Sequence, residues 1–190
     1  MTNYLAWLHK IVPKACSLYH FEGFEKSHLL TEGIRVSALY PDGVYFDMHP
    51  DRPRDVLLVD SLFNTDNELV LSERLVAFLL GKSLPNLEFL PVKIMDHKGN
   101  FIDEKYSIMN VLEHQDCLDV DASEPEVSTI NDKTIESVEQ LVLVEGKVDD
   151  SFQIFRIANF AATTLVEESL ARAIEAEFTG VEFVPLEDFE

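Results

Sequence analysis

Residues 71–94, LSERLVAFLLGKSLPNLEFLPVKI, decide the fold class. Leu71, Leu75, Phe78 and Leu79 recur at i, i+4, i+7 and i+8, the spacing of one helical face. Ser72, or an Asp or Asn further upstream, supplies an N-cap, and Gly81 suits the helix end. Residues 87–94 then read as a strand. The same order returns near the C-terminus. Leu71-Ser72-Glu73-Arg74-Leu75 leads through a helix to Glu88-Phe89-Leu90-Pro91-Val92, and Val166-Glu167-Glu168-Ser169-Leu170 leads through a helix to Glu182-Phe183-Val184-Pro185-Leu186. The two copies lie 95 residues apart at the helix and 94 at the strand. The second helix is predicted over 165–178. Val166, Leu170, Ala173 and Ile174 form its apolar face, Thr164 and Glu167 a capping box, and Gly180 its stop, before a last strand at 181–186. Proline has no N–H for a ladder, so Pro91 and Pro185 are placed at strand ends or edges. The plain reading of the repeat is two packing units, from a duplication or from convergent need. The functional alternative is two equivalent binding grooves.

Working outward, residues 3–12 place Tyr4, Leu8, Ile11 and Val12 on one helical face with Trp7 beside them, so a short amphipathic helix ended by Pro13 is predicted. Residues 44–48 read as a strand after the Pro41-Asp42-Gly43 turn, and 106–112 and 116–120 as two more. Residues 138–144 and 152–157, separated by Gly-Lys-Val-Asp-Asp, read as an antiparallel hairpin. The expected fold is α+β: a mixed or mainly antiparallel sheet of about six to eight strands, two main helices packed on it, and a short N-terminal helix. Residues 1–43 form a helix and lead-in, and 44–190 the main domain, the two making one compact unit.

Charge is the dominant bulk property: 35 acids against 15 bases, a formal net charge of -20. That field repels nucleic acid and anionic membrane surfaces, which disfavours both as partners. It attracts a basic protein. The plainer alternative is that acidity only aids solubility. The charge is uneven. Residues 116–150 hold eleven acids and two bases, and 167–190 hold eight acids and one base, Arg172. The field is strongest wherever those two segments meet. Two cysteines, Cys16 and Cys117, give no disulfide framework and no CxxC pair. With no secretory leader and no run of roughly 18 apolar residues, a reducing cytoplasm is the expected location.

Signatures of chemistry are weak. The six histidines show no metal-ligand spacing, so no metal and no cofactor is expected. The run Asp116-Cys117-Leu118-Asp119-Val120-Asp121-Ala122-Ser123-Glu124 spaces oxygens as a hard cation would want them. It lacks the glycine and distant Glu of an EF-hand, and a strand with one solvated face or a recognition surface explains it better. No nucleophile elbow and no phosphate-binding glycine loop is present, so no catalytic residue is assigned. Arg156, alternating with Phe152 and Ile154 on one strand face, either pairs internally with a carboxylate or stands in a ligand cleft. His114 is the second cleft candidate.

Several of these segments together resemble a bacterial immunity-protein family of polymorphic toxin systems, the eleventh in the numbered immunity series. The matching residues are Leu71–Leu75, Glu88–Val92, Tyr106–Leu112, Asp116–Asp119 with Ser123, Ile154–Ile157 and Gly180–Leu186. The resemblance implies a non-enzymatic protein that neutralises a cognate toxin, and it offers no catalytic residues. If the toxin is basic, the acidic contact is expected on Asp119, Asp121, Glu124, Glu126, Asp149 and Asp150. The alternatives are a hydrolase or small-ligand enzyme, and a self-associating subunit forming a homodimer through edge strands.

Overall fold

The computed structural model describes residues 3–129 and 134–189. Its elements run β1 (Tyr4–His9), β2 (Leu18–Glu22), β3 (Tyr45–Met48), β4 (Ser61–Leu62), β5 (Val70–Ser72), α1 (Glu73–Leu80), β6 (Leu87–Met95), β7 (Tyr106–Val111) and β8 (His114–Gln115). Then come α2 (Val120–Ser123), β9 (Pro125–Val127), β10 (Ile135–Val138), β11 (Ile154–Ile157), β12 (Phe160–Glu167), α3 (Glu168–Glu177) and β13 (Val181–Pro185). The class is α+β, but the strands divide between two main sheets rather than sharing one. One sheet has the order β2-β3-β6-β7-β5-β4 and the other β13-β1-β12-β11-β8, with β9 and β10 pairing separately.

The helix that opens the argument forms as its sequence dictates. The Ser72 hydroxyl accepts from the Leu75 N–H, and the Gly81 N–H reaches back to the Ala77 carbonyl. Pro91 sits within β6, yet at a local edge. β6 meets β7 over Leu87–Val92 but meets β3 only from Lys93 onward, so the missing N–H faces no partner strand.

Four expectations are corrected. The N-terminal segment is a strand: β1 lies between β12 and β13, and Tyr4, Leu5, Ala6 and Trp7 are all buried, which suits a central strand covered on both faces. A short apolar run carries no period that separates helix from strand, so its neighbours decide. The 138–144 and 152–157 hairpin does not form. β11 instead turns tightly through Ala158 and Asn159, whose φ of 65° suits such a turn, and pairs with β12. The cap of α3 is the Glu167 carboxylate, which accepts from the Ser169 and Leu170 N–H groups; Thr164 lies inside β12, which pairs with β1 and β11 up to the helix. Residues 116–120 hold no strand, because the Asp119 carboxylate caps α2 through the Ala122 N–H.

The sequence repeat is one of backbone pairing. In the first unit β7 lies between β5 and β6, with Ser72 opposite Tyr106 and Pro91 opposite Ser107. In the second, β1 lies between β12 and β13, with Glu167 opposite Tyr4 and Pro185 opposite Leu5. The bonds recur in pairs. The Tyr106 hydroxyl donates to the Val59 carbonyl at 2.9 Å and the Tyr4 hydroxyl to the Phe152 carbonyl at 3.0 Å. The Glu73 N–H reaches the Lys105 carbonyl and the Glu168 N–H the Asn3 carbonyl, each at 2.9 Å. The Ser72 N–H reaches the Asp60 carbonyl at 2.8 Å, and the Glu167 N–H the Gln153 carbonyl at 2.7 Å. The difference is connectivity: β7 follows β6 through a turn, whereas β1 reaches its place from the other end of the chain.

The two units share one core. Leu75, Val76 and Leu79 of α1 and Leu170, Ala171 and Ile174 of α3 join the inner sheet faces in a single buried cluster, with Phe78 and Phe178 edge to face at 5.2 Å. Each sheet carries a further cluster, one around Phe46 and Ile108 and one around Phe155 and Leu165. Between the units the Asn86 side-chain amide donates to the Ile154 carbonyl at 2.6 Å. At the matching position Gly180, at φ +77°, packs so closely on the Ser61 carbonyl that no Cβ fits.

Candidate functional site

Arg156 lies in the middle of the molecule, 2% exposed. Its guanidinium stands 3.8 Å from the Glu68 carboxylate and donates to the Leu30 carbonyl at 2.9 Å and to the Thr164 hydroxyl at 3.4 Å. Glu68 precedes β5 and Arg156 is in β11, so the pair ties the two units together. Burial pushes the Glu68 carboxyl up to about 7 against the pull of Arg156. His114, opposite Arg156 in the sheet, is held below its ordinary value by burial and by the Arg156 charge, and its Nε2 has no hydrogen-bond partner. Neither Arg156 nor His114 is among the residues lining the two grooves described below. Both cysteines are buried and unpaired, and burial pushes Cys16 up to about 12 and Cys117 to about 11, so neither is a ready thiolate. Among the described residues no group of three or more His, Cys, Asp or Glu side chains is placed to hold a metal ion, and no helix is long and apolar enough to cross a membrane.

The six acidic candidates stand in different local settings. Asp119 is occupied as the cap of α2. Asp121 and Glu124 are exposed on and just after that helix, and Glu126 on β9 accepts from the Ser137 hydroxyl at 2.9 Å. Ser123 is fully buried and turned to Val142, so the cation-like oxygen spacing of 119–123 does not converge. The exposed Asp149 carboxylate takes the Ser151 N–H and hydroxyl, which hold it below the usual carboxylate range. Asp150 lines the groove described next.

That groove, of about 600 Å³, is where the two most acidic segments meet. Leu143, Glu145, Val148 and Asp150 come from the first segment, and Glu168, Arg172 and Glu187 from the second. Tyr4 and Leu5 of β1, with Pro185 and Leu186, complete its apolar lining. Arg172 is its sole cation among the described residues, and it is held 2.9 Å from Glu175. The local field registers on Tyr4, whose phenol is pushed up to about 12 by burial first and then by Asp150, Glu167 and Asp149. The two acidic segments were readable from the distribution of acids, but not where they would meet. Nor was the part played by Tyr4 and Leu5, because a helix was expected there.

A second groove, of about 920 Å³, lies beside α1. It is the first groove's counterpart in the repeat. Glu168, Arg172, Pro185 and Glu187 of one correspond to Glu73, Ala77, Pro91 and Lys93 of the other. Asn3, Tyr4, Leu5 and Leu186 likewise correspond to Lys105, Tyr106, Ser107 and Val92. Its rim is mixed: Lys105 pairs with Glu73 at 3.2 Å, and the Lys93 ammonium sits over the Phe101 ring at 5.1 Å.

Compared with known families, residues 17–188 of the 190-residue chain match the family described as Immunity protein family (Imm11). Among curated proteins none matches the chain.

Proposed function

The chain belongs to that immunity protein family, and on this premise we propose that it binds a cognate toxin and neutralises it without catalysis, by covering the toxin's active or substrate-binding surface. The observation that carries the reading is the meeting of the two acidic segments around an apolar-floored groove. A toxin that handles phosphates needs a positive surface, and a carboxylate-rich partner of net charge -20 is drawn to it and then excludes its substrate. A stable complex buries roughly 1,200–2,000 Å² in total, more than one groove offers, so the contact extends over neighbouring acids. Asp119, Asp121, Glu124, Glu126, Asp149 and Asp150 are assigned to that wider contact.

The test is co-expression with a toxin encoded beside this chain's gene, read as bacterial growth, followed by titration of the toxin's activity with purified protein. Occlusion predicts growth rescue and inhibition that ends at a fixed stoichiometric ratio. Rescue by catalytic, substoichiometric amounts overturns occlusion. Undiminished binding after charge reversal of all six acids removes them from the contact.

A further inference from the structure

We infer that the groove completed by β1, and not its counterpart beside α1, receives a lysine- or arginine-bearing segment of the toxin with an aliphatic side chain seated on its floor. The inference rests on the toxin-neutralising reading and names where and how the partner docks.

The repeat supplies an internal comparison, because the two grooves share a frame and differ in charge. Where the groove beside α1 has Lys93 and Lys105, the groove completed by β1 has Glu187 and Asn3. Each groove carries four acids, Glu145, Asp150, Glu168 and Glu187 in one and Asp42, Glu73, Asp103 and Glu104 in the other, so the contrast lies in the bases, Arg172 against Lys93 and Lys105, and in which carboxylates are left unpaired. The side chains of Glu145, Asp150 and Glu187 make no hydrogen bond or ion pair among the described residues, and all three are exposed. Carboxylates left without internal partners at the rim of an apolar floor are matched by ammonium or guanidinium groups on either side of an apolar anchor. Such an anchor expels water from the floor as it seats, while the rim charges steer the encounter. In the counterpart groove the two ammonium groups stand against the same ligand. One already has Glu73 as its partner and the other rests on Phe101.

The probe is a short peptide of alternating lysine and leucine, titrated at low ionic strength into isotope-labelled full-length protein and followed by amide chemical shifts. Saturable shifts are expected at residues 3–5, 143–150 and 185–187, with little change at 101–107. The E145K/D150K/E187K variant is expected to weaken binding about 10-fold or more. D42K/D103K/E104K, an equal charge change at the other groove, is expected to leave it within about 2-fold. Both variants alter exposed side chains, and unchanged thermal unfolding confirms that they fold. Shifts centred on 101–107, shifts spread over the whole acidic surface, or equal weakening by both variants overturn the assignment. The growth assay separates the two readings. Rescue that survives E145K/D150K/E187K leaves the function standing and removes the groove. Peptide binding at the groove by a protein that rescues no toxin leaves the groove standing and removes the function.

Discussion

In the unit around α1, the Asp60 carboxylate accepts from the Ser72 hydroxyl, the Arg74 guanidinium, and the N–H and hydroxyl of Thr179. In the unit around α3 the same place is taken by Gln153, whose side-chain amide donates to the Glu167 carboxylate at 3.5 Å. The residue matching Thr179 there is Pro85, which has no N–H to give. The backbone bonds from Ser72 to Asp60 and from Glu167 to Gln153 beneath the two sites correspond. Ladder and cap pairings therefore persist between the units while side-chain chemistry has diverged, leaving one unit with an arginine–carboxylate clamp and the other with a single amide–carboxylate contact. The grooves follow this rule too: equal frames, unequal charge.

The sharpest way to break the comparison is to move the strand that separates the units in chain order. Deleting residues 3–10 removes Tyr4, Leu5, Ala6 and Trp7 from two cores, and cooperative thermal unfolding is expected to disappear. Reinserting the same residues behind Glu187, through a turn copied from 96–105, gives the second unit the connectivity of the first and is expected to restore a sharp transition. A reinserted variant that stays unfolded would show that the equivalence of β1 and β7 is superficial.

Next in size is the bond between units. Arg156→Met leaves Glu68 buried without its partner and is expected to lower stability by about 3–5 kcal/mol in denaturant titration. Adding Glu68→Leu is expected to recover much of that loss, because no uncompensated charge then remains. A double variant no better than the single one would show that Leu30 and Thr164, not Glu68, hold the guanidinium.

Asp60 tests the charged clamp. Burial alone would raise its carboxyl, but Arg74, Thr179 and Ser72 together hold it down at about 2, from 3.8. A folded value below the unfolded one adds stability above pH 3.8 that is lost as pH falls towards 2. Asp60→Asn is therefore expected to cost about 2 kcal/mol at neutral pH, with the gap to the parent closing on acidification. A gap independent of pH would assign the effect to packing.

The smallest effect is the most direct test of symmetry. Tyr4→Phe and Tyr106→Phe each remove one hydroxyl bonded to a carbonyl, and each is expected to cost about 1 kcal/mol, additively. A marked inequality would show that the two hydroxyls are matched in position only.

The duplicated helix and strand were legible because their signals are local: Ser72 as cap, the apolar face of α1, and the repeated Glu-Phe-x-Pro of β6 and β13. What escaped the sequence was decided at a distance. Residues 4–9 fit a helical wheel until two strands claim both of their edges. Residues 138–144 are rich in strand-forming Val and Leu, but Asn159 gives β11 a nearer partner. The functional region divides the same way. The two acidic segments were legible from where the charges lie along the chain, whereas their meeting and the floor under them needed the fold and the path of β1.

Asn3 and Glu187 both stand on the rim of the same groove. Any affinity tag, fluorescent reporter or fused domain joined ahead of the one or beyond the other would leave from its mouth and compete with an incoming ligand. Bait for partner capture is better anchored through the exposed side chain of Lys98 in the turn at 97–100, leaving Gly99, at φ +80°, in place.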